Sequence, residues 1–126
     1  MDIIYIDDDA ASRTLLRDML ATRGFTMAEA ADARSGIRMI GEGRFDLILM
    51  DLRMPDMNGL TAIRQLRAGG GESARIPIVV VTADLSEGIR QLCQGAGAAD
   101  FLEKPVRMET LFAVIASAAG KQPKQA

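Results

Sequence analysis

The stretch "DLILMDLRMPDMNG", residues 46–59, decides the fold. Its first part, Asp46–Met50, is almost continuously apolar, which is typical of a strand that is buried on both faces of a parallel sheet. The run stops at Asp51. Because Pro55 and Gly59 stand between Asp51 and the next helical pattern, helix capping explains this aspartate poorly.

Other short apolar runs of the same kind alternate with helical patterns along the chain. Alternation of this kind predicts one α/β domain with a doubly wound parallel sheet and right-handed crossovers. In such sheets, ligands bind outside the carboxyl ends of the strands. The five predicted strands are Ile3–Ile6, Phe25–Ala28, Asp46–Met50, Ile76–Val81 and Ala99–Leu102.

Amphipathic stretches between the runs predict the helices. Gly24 is expected to end the first helix, and Asp32 to begin the second. Asp84, with Glu87 three residues later, resembles the capping box of the fourth helix. The segment "AGGGES", residues 68–73, predicts a flexible loop. We expect one domain over residues 1–119 and a disordered polar tail over residues 120–126.

Composition limits the kinds of function. The 126 residues carry a net charge of −2 and a pI of about 5.1, which argues against a direct nucleic-acid partner. No apolar run approaches the roughly 20 residues of a membrane span, and the acidic N-terminus is unlike a signal peptide. The single cysteine, Cys93, is interpreted as a small buried hydrophobe. We therefore expect a soluble, cytoplasmic domain with no membrane partner.

The sequence contains no histidine. This excludes histidine metal ligands, histidine general bases and a phosphohistidine within the chain. Any chemistry must use carboxylates, hydroxyls and cations.

Polar side chains follow four of the five predicted strands. They are Asp7 and Asp8, Asp51, Thr82 and Lys104. Each has an ordinary alternative explanation: aspartates after strands often cap helices, threonine is a common strand residue, and a lysine before proline is usually a solvated charge. Capping is an equal alternative for Asp8 or Asp9 taken alone. Their joint position at one edge of the sheet makes the ordinary explanations poor in combination.

Three carboxylates at one sheet edge require a positive partner. Two unit charges about 4 Å apart repel by roughly 4 kcal/mol at an effective dielectric constant near 20. Magnesium accepts one or two carboxylates together with phosphate oxygens and waters. Lys104, the only lysine before residue 121, suits a single phosphate oxygen. Asp51 as nucleophile, with a metal ion, a lysine and the Thr82 hydroxyl, provides the groups that phosphoryl transfer needs.

These residues resemble the receiver domain of two-component response regulators. The resemblance extends from Ile3 to about Ala119 and depends on four motifs in order: "YIDDD", "LMDLRMPDMNG", "VVVTA" and "FLEKP". It implies a flavodoxin-like fold, with five parallel strands in the order 2-1-3-4-5 and five helices. That strand order is a property of the family and is not read from the sequence pattern.

The resemblance also implies an acceptor and metal site. Asp51 matches the phosphoacceptor. Asp7 and Asp8 match the acidic pair that holds Mg²⁺, or alternatively Mn²⁺, with Asp8 as the direct ligand. The backbone carbonyl of Arg53 would complete the protein ligands.

A second group of residues matches the family's switch. Thr82 corresponds to the switch hydroxyl, Ala83 to the small residue beside the phosphoryl group, and Lys104 to the phosphate-binding lysine. The peptide bond before Pro105 is expected to be cis. Phe101 takes the position of the switch aromatic, where many members have tyrosine, so any output that needs a tyrosine hydroxyl is in doubt.

The implied function is a signalling switch rather than an enzyme with an external substrate. A histidine kinase or histidine phosphotransfer protein would phosphorylate Asp51, and the chain would then lose the phosphate by hydrolysis. An output protein would read the face formed by the fourth helix, fifth strand and fifth helix. We also predict an ion pair between Arg53 and Asp84 that shields the phosphate.

Two competing hypotheses use the same residues. A phosphatase of the haloacid-dehalogenase type also has an aspartate nucleophile, a threonine, a lysine and Mg²⁺. Its nucleophile would follow the first strand, yet residues 7–11, "DDDAA", lack the expected Thr or Val. Alternatively, the domain is a protein-interaction module that no longer needs phosphate.

Overall fold

The computed structural model describes residues 1–120, which form one parallel β-sheet with helices on both faces. The strands are β1 (Asp2–Ile6), β2 (Thr26–Ala30), β3 (Leu47–Asp51), β4 (Ile78–Thr82) and β5 (Asp100–Glu103). The helices are α1 (Ala10–Ala21), α2 (Ala33–Glu42), α3 (Gly59–Ala68), α4 (Glu87–Ala96) and α5 (Met108–Gly120). Residues 121–126, the greater part of the predicted tail, lie outside the described residues.

The five strands are all parallel and follow the order β2-β1-β3-β4-β5, which confirms the predicted fold. The strands β3 and β4 are buried along their whole length. One face of the sheet packs against α2, α3 and α4, and the other packs against α1 and α5. Because β1, β3, β4 and β5 are neighbours, the residues at their carboxyl ends meet at one edge of the sheet.

Several predicted boundaries shift in the structure. β4 begins at Ile78 rather than Ile76, because Pro77 has no N–H for the ladder and contributes its carbonyl to Ile48 N instead. The predicted capping box at Asp84 is wrong. Ser86 is the N-cap of α4, and its Oγ accepts a hydrogen bond from Ile89 N at 3.4 Å.

The first helix ends as the sequence predicts, through a glycine. Gly24 adopts a φ of 75°, and its N–H donates to Ala21 O while Phe25 N donates to Leu20 O. This pair of bonds is a Schellman motif, for which a left-handed residue is required.

The segment at residues 68–73 is a glycine-rich turn whose flexibility stays a prediction. It runs into a short 3-10 helix, Glu72–Arg75. The guanidinium of Arg67 donates to the carbonyls of Ala74, Ile76 and Gly97 at 2.7–3.1 Å. These bonds tie the end of α3 to the segment before β4 and to the turn after α4.

No helix within residues 1–120 is both long enough and apolar enough to cross a bilayer.

Candidate functional site

Three carboxylates meet at the carboxyl edge of the sheet. Asp7 and Asp8 follow β1, and Asp51 is the last residue of β3. Each offers one oxygen to a group whose members lie within 4.8 Å of one another. Asp7 is fully buried and Asp51 is 7% exposed, whereas Asp8 is exposed to solvent. Asp9, the next residue, is the N-cap of α1, so the two roles proposed for this acidic run fall on different residues.

Asp7 is held on both carboxylate oxygens. Its Oδ1 accepts the backbone N–H of Asp9 at 2.9 Å. Its Oδ2 accepts two bonds, one from the hydroxyl of Tyr5 and one from Lys104 Nζ at 2.9 Å. Burial, followed by the hydrogen bond to Asp7, raises the pKa of Tyr5 well above its usual value, so the tyrosine stays protonated as a donor. Asp7 is thus a fixed carboxylate with a donor on each oxygen, and Oδ1 keeps a further lone pair.

Lys104 provides the ammonium of the site. Its Nζ lies 2.9 Å from Asp7 Oδ2 and 3.5 Å from Asp51 Oδ2. Burial lowers the pKa of Lys104, but the hydrogen bond to Asp7 and the charges of Asp51 and Asp7 outweigh this and leave the pKa raised. The lysine is therefore charged at neutral pH. The peptide bond to Pro105 is cis, and Lys104 N donates to Thr82 O at 2.9 Å, which anchors this end of β5 to β4.

Asp51 is the carboxylate with the least favourable surroundings for its charge. Burial raises its pKa, as does the charge of Asp7, and Lys104 only partly offsets these effects. The N–H of Arg53 donates to Asp51 Oδ1 at 3.3 Å. The negative charge of Asp51 is thus only partly compensated by Lys104, and the residue keeps 7% of its surface exposed.

The residues present fit a hard divalent cation. Three carboxylates face a single ammonium, so the cluster keeps an excess of two negative charges. The nearby guanidinium of Arg13 is engaged by Glu29 at 3.1 Å. All donors are oxygens, the chain has no histidine, and Cys93 is buried in the core beneath α4. Oxygen ligands of this kind suit Mg²⁺ and Mn²⁺ rather than zinc or copper.

Thr82 ends β4 beside this cluster. Its side chain is buried, and Oγ1 accepts the N–H of Asp84 at 3.2 Å, which leaves the hydroxyl proton able to donate elsewhere. Ala83 is exposed at the rim. Arg53 and Asp84 are both exposed, and within residues 1–120 no ion pair joins them, so the structure does not contain the predicted pair.

Phe101 lies on β5, where its register partner is Val80 on β4. It is 7% exposed and belongs to the core beneath α4. The guanidinium of Arg90, on α4, lies 5.4 Å from the ring centroid. The ring is therefore placed between the sheet and the fourth helix, close to the surface.

Sequence reasoning did not identify Tyr5 and Asp56 as parts of the site. Tyr5 was hidden within an apolar run, although its spacing of two from Asp7 places both on one face of a strand. Asp56 accepts bonds from Ala33 N at 3.1 Å and from Arg34 N at 3.0 Å. It thereby fixes the loop after Asp51 to the start of α2, and no local pattern signals a contact over 23 positions.

Comparison with known proteins agrees with this geometry. Residues 3–116 match the family model described as "Response regulator receiver domain". The chain is 39% identical over 111 residues to "Response regulator MprA" of Mycolicibacterium vanbaalenii, covering 88% of this chain and 47% of that protein. It is 38% identical over 115 residues to the protein of the same name from Mycobacterium leprae, covering 91% and 49%. The chain thus spans about half the length of these relatives.

Solved structures share the fold over nearly the whole chain. The receiver domain of the sensor histidine kinase PA1611 from Pseudomonas aeruginosa, with a magnesium ion coordinated in its active-site cleft, gives a TM-score of 0.86 at 32% identity and covers 95% of this chain and 98% of that one. The chemotaxis protein CheY4 of Vibrio cholerae gives 0.86 at 27% identity, covering 93% and 97%. The family match over residues 3–116, together with this fold and acidic edge, shows that the chain belongs to the receiver domain family of two-component response regulators.

Proposed function

We propose that this receiver domain accepts a phosphoryl group on Asp51. The observation that carries the proposal is the meeting of Asp51, Lys104 and the acidic pair Asp7 and Asp8 at the carboxyl edge of the sheet. Asp51 is 7% exposed, whereas Asp7 is fully buried, and burial together with the charge of Asp7 raises the pKa of Asp51. A histidine kinase or a histidine phosphotransfer protein is the proposed donor, because the family belongs to two-component signalling.

In the transfer step, an Asp51 carboxylate oxygen attacks the phosphorus of the donor phosphohistidine. The new O–P bond forms as the N–P bond breaks, and the imidazole nitrogen leaves with the electron pair. Such steps depend mainly on position and on charge neutralisation. Lys104, which is already 3.5 Å from Asp51 Oδ2, would bind an oxygen of the transferred group. Water later attacks the acyl phosphate and regenerates the carboxylate.

The metal would be held by Asp7, Asp8, Asp51 and the carbonyl oxygen of Arg53. When bound, Mg²⁺ would neutralise the charge that develops on the transferred oxygens. The magnesium ion described for the PA1611 receiver supports this choice, and Mn²⁺ is proposed as a substitute because it prefers the same oxygen ligands.

Thr82 and Phe101 are proposed to carry the signal to the surface. The Thr82 hydroxyl would donate to a phosphoryl oxygen beside Ala83, whose small side chain leaves the rim open. Thr82 on β4 pairs with Glu103 on β5, and Phe101 lies two residues before Glu103. Movement of Thr82 would therefore give the Phe101 ring space to turn inward. This conformation, with Phe101 turned inward, is favoured only as far as it binds the phosphoryl group better than the resting conformation does. The face formed by α4, β5 and α5 is the proposed output surface.

Two other hypotheses have less support. The phosphatase would need an accessible nucleophile after β1, but Asp7 is fully buried and both its oxygens are bonded. A phosphate-independent module would not need the uncompensated acidic cluster that the structure contains. The cytoplasmic location and the use of the α4, β5 and α5 face by an output protein stay predictions.

The test is intact-mass analysis after incubation with acetyl phosphate and Mg²⁺. Wild type should gain one labile phosphoryl adduct, which should be missing from Asp51→Asn and from a sample with EDTA. Mass spectrometry of proteolytic peptides locates the adduct and so separates the phosphatase hypothesis, in which Asp7 rather than Asp51 would carry it.

Rapid hydrolysis could remove the adduct before detection, so beryllofluoride binding to wild type and Asp51→Asn is measured in parallel by NMR. Binding to wild type alone supports the proposal. If wild type neither forms the adduct nor binds beryllofluoride, the phosphate-independent module becomes the better explanation.

A further inference from the structure

Tyr5 has a buried hydroxyl that packing alone does not require. The side chain is fully buried among apolar residues on the α1 and α5 face of the sheet, where phenylalanine would fill the same space. Taking a hydroxyl out of water is unfavourable unless it is hydrogen-bonded. Here the hydroxyl donates to Asp7 Oδ2.

The same oxygen accepts Lys104 Nζ at 2.9 Å. The lysine is shared between Asp7 and Asp51, and its contact with Asp51 is the longer one, at 3.5 Å. In the proposed function, this ammonium would turn from Asp7 towards the new oxygens. Asp7 Oδ2 would then have one donor fewer in a fully buried position, and a buried acceptor that loses its donors is unfavourable.

The two donors differ in their freedom to move. A cavity of about 350 Å³ adjoins both side chains and is lined by Tyr5, Lys104, Leu16 and Pro105, among others. The backbone of Tyr5, in contrast, is rigid, because it pairs with Glu29 of β2 on one side and with Leu49 of β3 on the other. Tyr5 is therefore a fixed donor, whereas Lys104 has room to move.

We propose that Tyr5 is a positioning residue, whose hydroxyl keeps Asp7 Oδ2 hydrogen-bonded when Lys104 moves to the phosphoryl group. The inference rests on the proposed function of Asp51 as phosphoacceptor. Without the hydroxyl, Lys104 is the remaining donor to that buried oxygen, and its departure becomes more costly. Tyr5 thus acts through Lys104 and does not touch the reacting atoms.

The first measurement is the rate of phosphorylation by acetyl phosphate at saturating Mg²⁺. Tyr5→Phe should slow the reaction about tenfold, the lower end of what is expected of one hydrogen bond to a charged carboxylate. In a Lys104→Met background, the same substitution should change the rate by less than about twofold. The lysine ammonium, whose movement the Tyr5 hydroxyl makes less costly, is then already absent. Ile4→Val, equally buried on the opposite face of β1, is the packing control and should leave the rate unchanged.

The second measurement needs no metal and no phosphate. Urea unfolding in EDTA is compared for wild type, Tyr5→Phe, Lys104→Met and the double variant. Each donor partly substitutes for the other at Asp7 Oδ2, so the double variant should lose more stability than the two single variants together. Additive losses would contradict the shared-oxygen argument.

The rate measurement has two refuting outcomes. The inference is refuted if Tyr5→Phe is phosphorylated as fast as wild type. It is also refuted if Tyr5→Phe slows the reaction by the same factor in the wild-type and Lys104→Met backgrounds. A wild type that neither forms the adduct nor binds beryllofluoride refutes the proposed function instead, and the unfolding comparison still decides whether the two donors share Asp7.

Discussion

Replacing Asp51 with asparagine should stabilise the domain when no metal is present. The substitution removes a charge that burial and the neighbouring Asp7 both disfavour, and it keeps the shape of the side chain. The asparagine Oδ1 can still accept the N–H of Arg53, which donates to the aspartate at 3.3 Å, while Lys104 loses its longer acceptor, 3.5 Å away, and keeps its bond to Asp7. The proposed phosphoacceptor thus opposes folding at neutral pH.

The size of the effect follows from the distances in the site. With carboxylate oxygens within 4.8 Å, Asp7 repels Asp51 by about 3.5 kcal/mol at an effective dielectric constant near 20. Lys104, at 3.5 Å, attracts it by about 4.7 kcal/mol on the same scale. Attraction exceeds this repulsion by about 1.2 kcal/mol, and repulsion from the exposed Asp8, which solvent screens, offsets part of the difference, so desolvation decides the sign. Burial of a charge costs several kcal/mol when complete, and for this partly accessible carboxylate we expect a net gain of about 2 kcal/mol.

Thermal unfolding followed by circular dichroism in EDTA is a suitable assay. A gain of about 2 kcal/mol corresponds to a rise in Tm of roughly 4–8 °C for a domain of this size. Asp18→Asn, on an exposed face of α1, removes one negative charge away from the site and should leave Tm unchanged. Saturating Mg²⁺ should reverse the order, because an ion at one hundred times its dissociation constant stabilises wild type by about 2.7 kcal/mol.

The pH dependence gives an independent check of the sign. The folded-state pKa of Asp51 is raised, so wild type loses stability as pH rises through that pKa. The advantage of Asp51→Asn should therefore be complete at neutral pH and should vanish in acid, where the aspartate is protonated in both states. An Asp51→Asn protein that is less stable than wild type in EDTA at neutral pH would refute the reasoning.

Three further substitutions test how the site is supported. Asp56→Ala should destabilise the domain by about 1 kcal/mol through lost capping of α2, and should also weaken Mg²⁺ binding by loosening the loop that holds Arg53; urea unfolding measures the first effect and calorimetric titration with Mg²⁺ the second, each beside an Asp56→Asn control that keeps an acceptor. Arg67→Met should leave three backbone carbonyls without their donor and lower the free energy of unfolding in urea by about 3 kcal/mol; an unchanged urea midpoint would contradict this. Gly59→Ala would place a Cβ 2.7 Å from Leu52 Cα, so we expect the free energy of unfolding to fall by about 1–3 kcal/mol in the same assay. An unchanged free energy of unfolding would show that the backbone relieves this close approach without cost.

The strand ends could be predicted from the sequence because parallel sheets place them together. Asp7, Asp51 and Lys104 each follow an apolar run, and the strand order then makes them neighbours. The position of Thr82 follows in the same way. What the pattern predicts is therefore which residues share an edge, and this depends only on strand direction and register.

Side-chain contacts between distant elements could not be predicted in this way. The bonds from Ala33 and Arg34 to Asp56 depend on how the loop after β3 folds back, which no short motif encodes. The predicted pair of Arg53 and Asp84 failed for a related reason: a correct placement of both residues near the site does not determine where two exposed side chains point.

The hydrogen bond between Lys104 and Asp7 joins residues 97 positions apart. During synthesis on the ribosome, the acidic pair and Asp51 emerge long before β5, and a nascent chain without β5 has no ammonium beside its carboxylates. A contact of such high sequence separation cannot form before β5 is present. Under the proposed function, the ability to accept a phosphoryl group would therefore be gained only after the last strand has joined the sheet, and copies truncated before β5 would lack it.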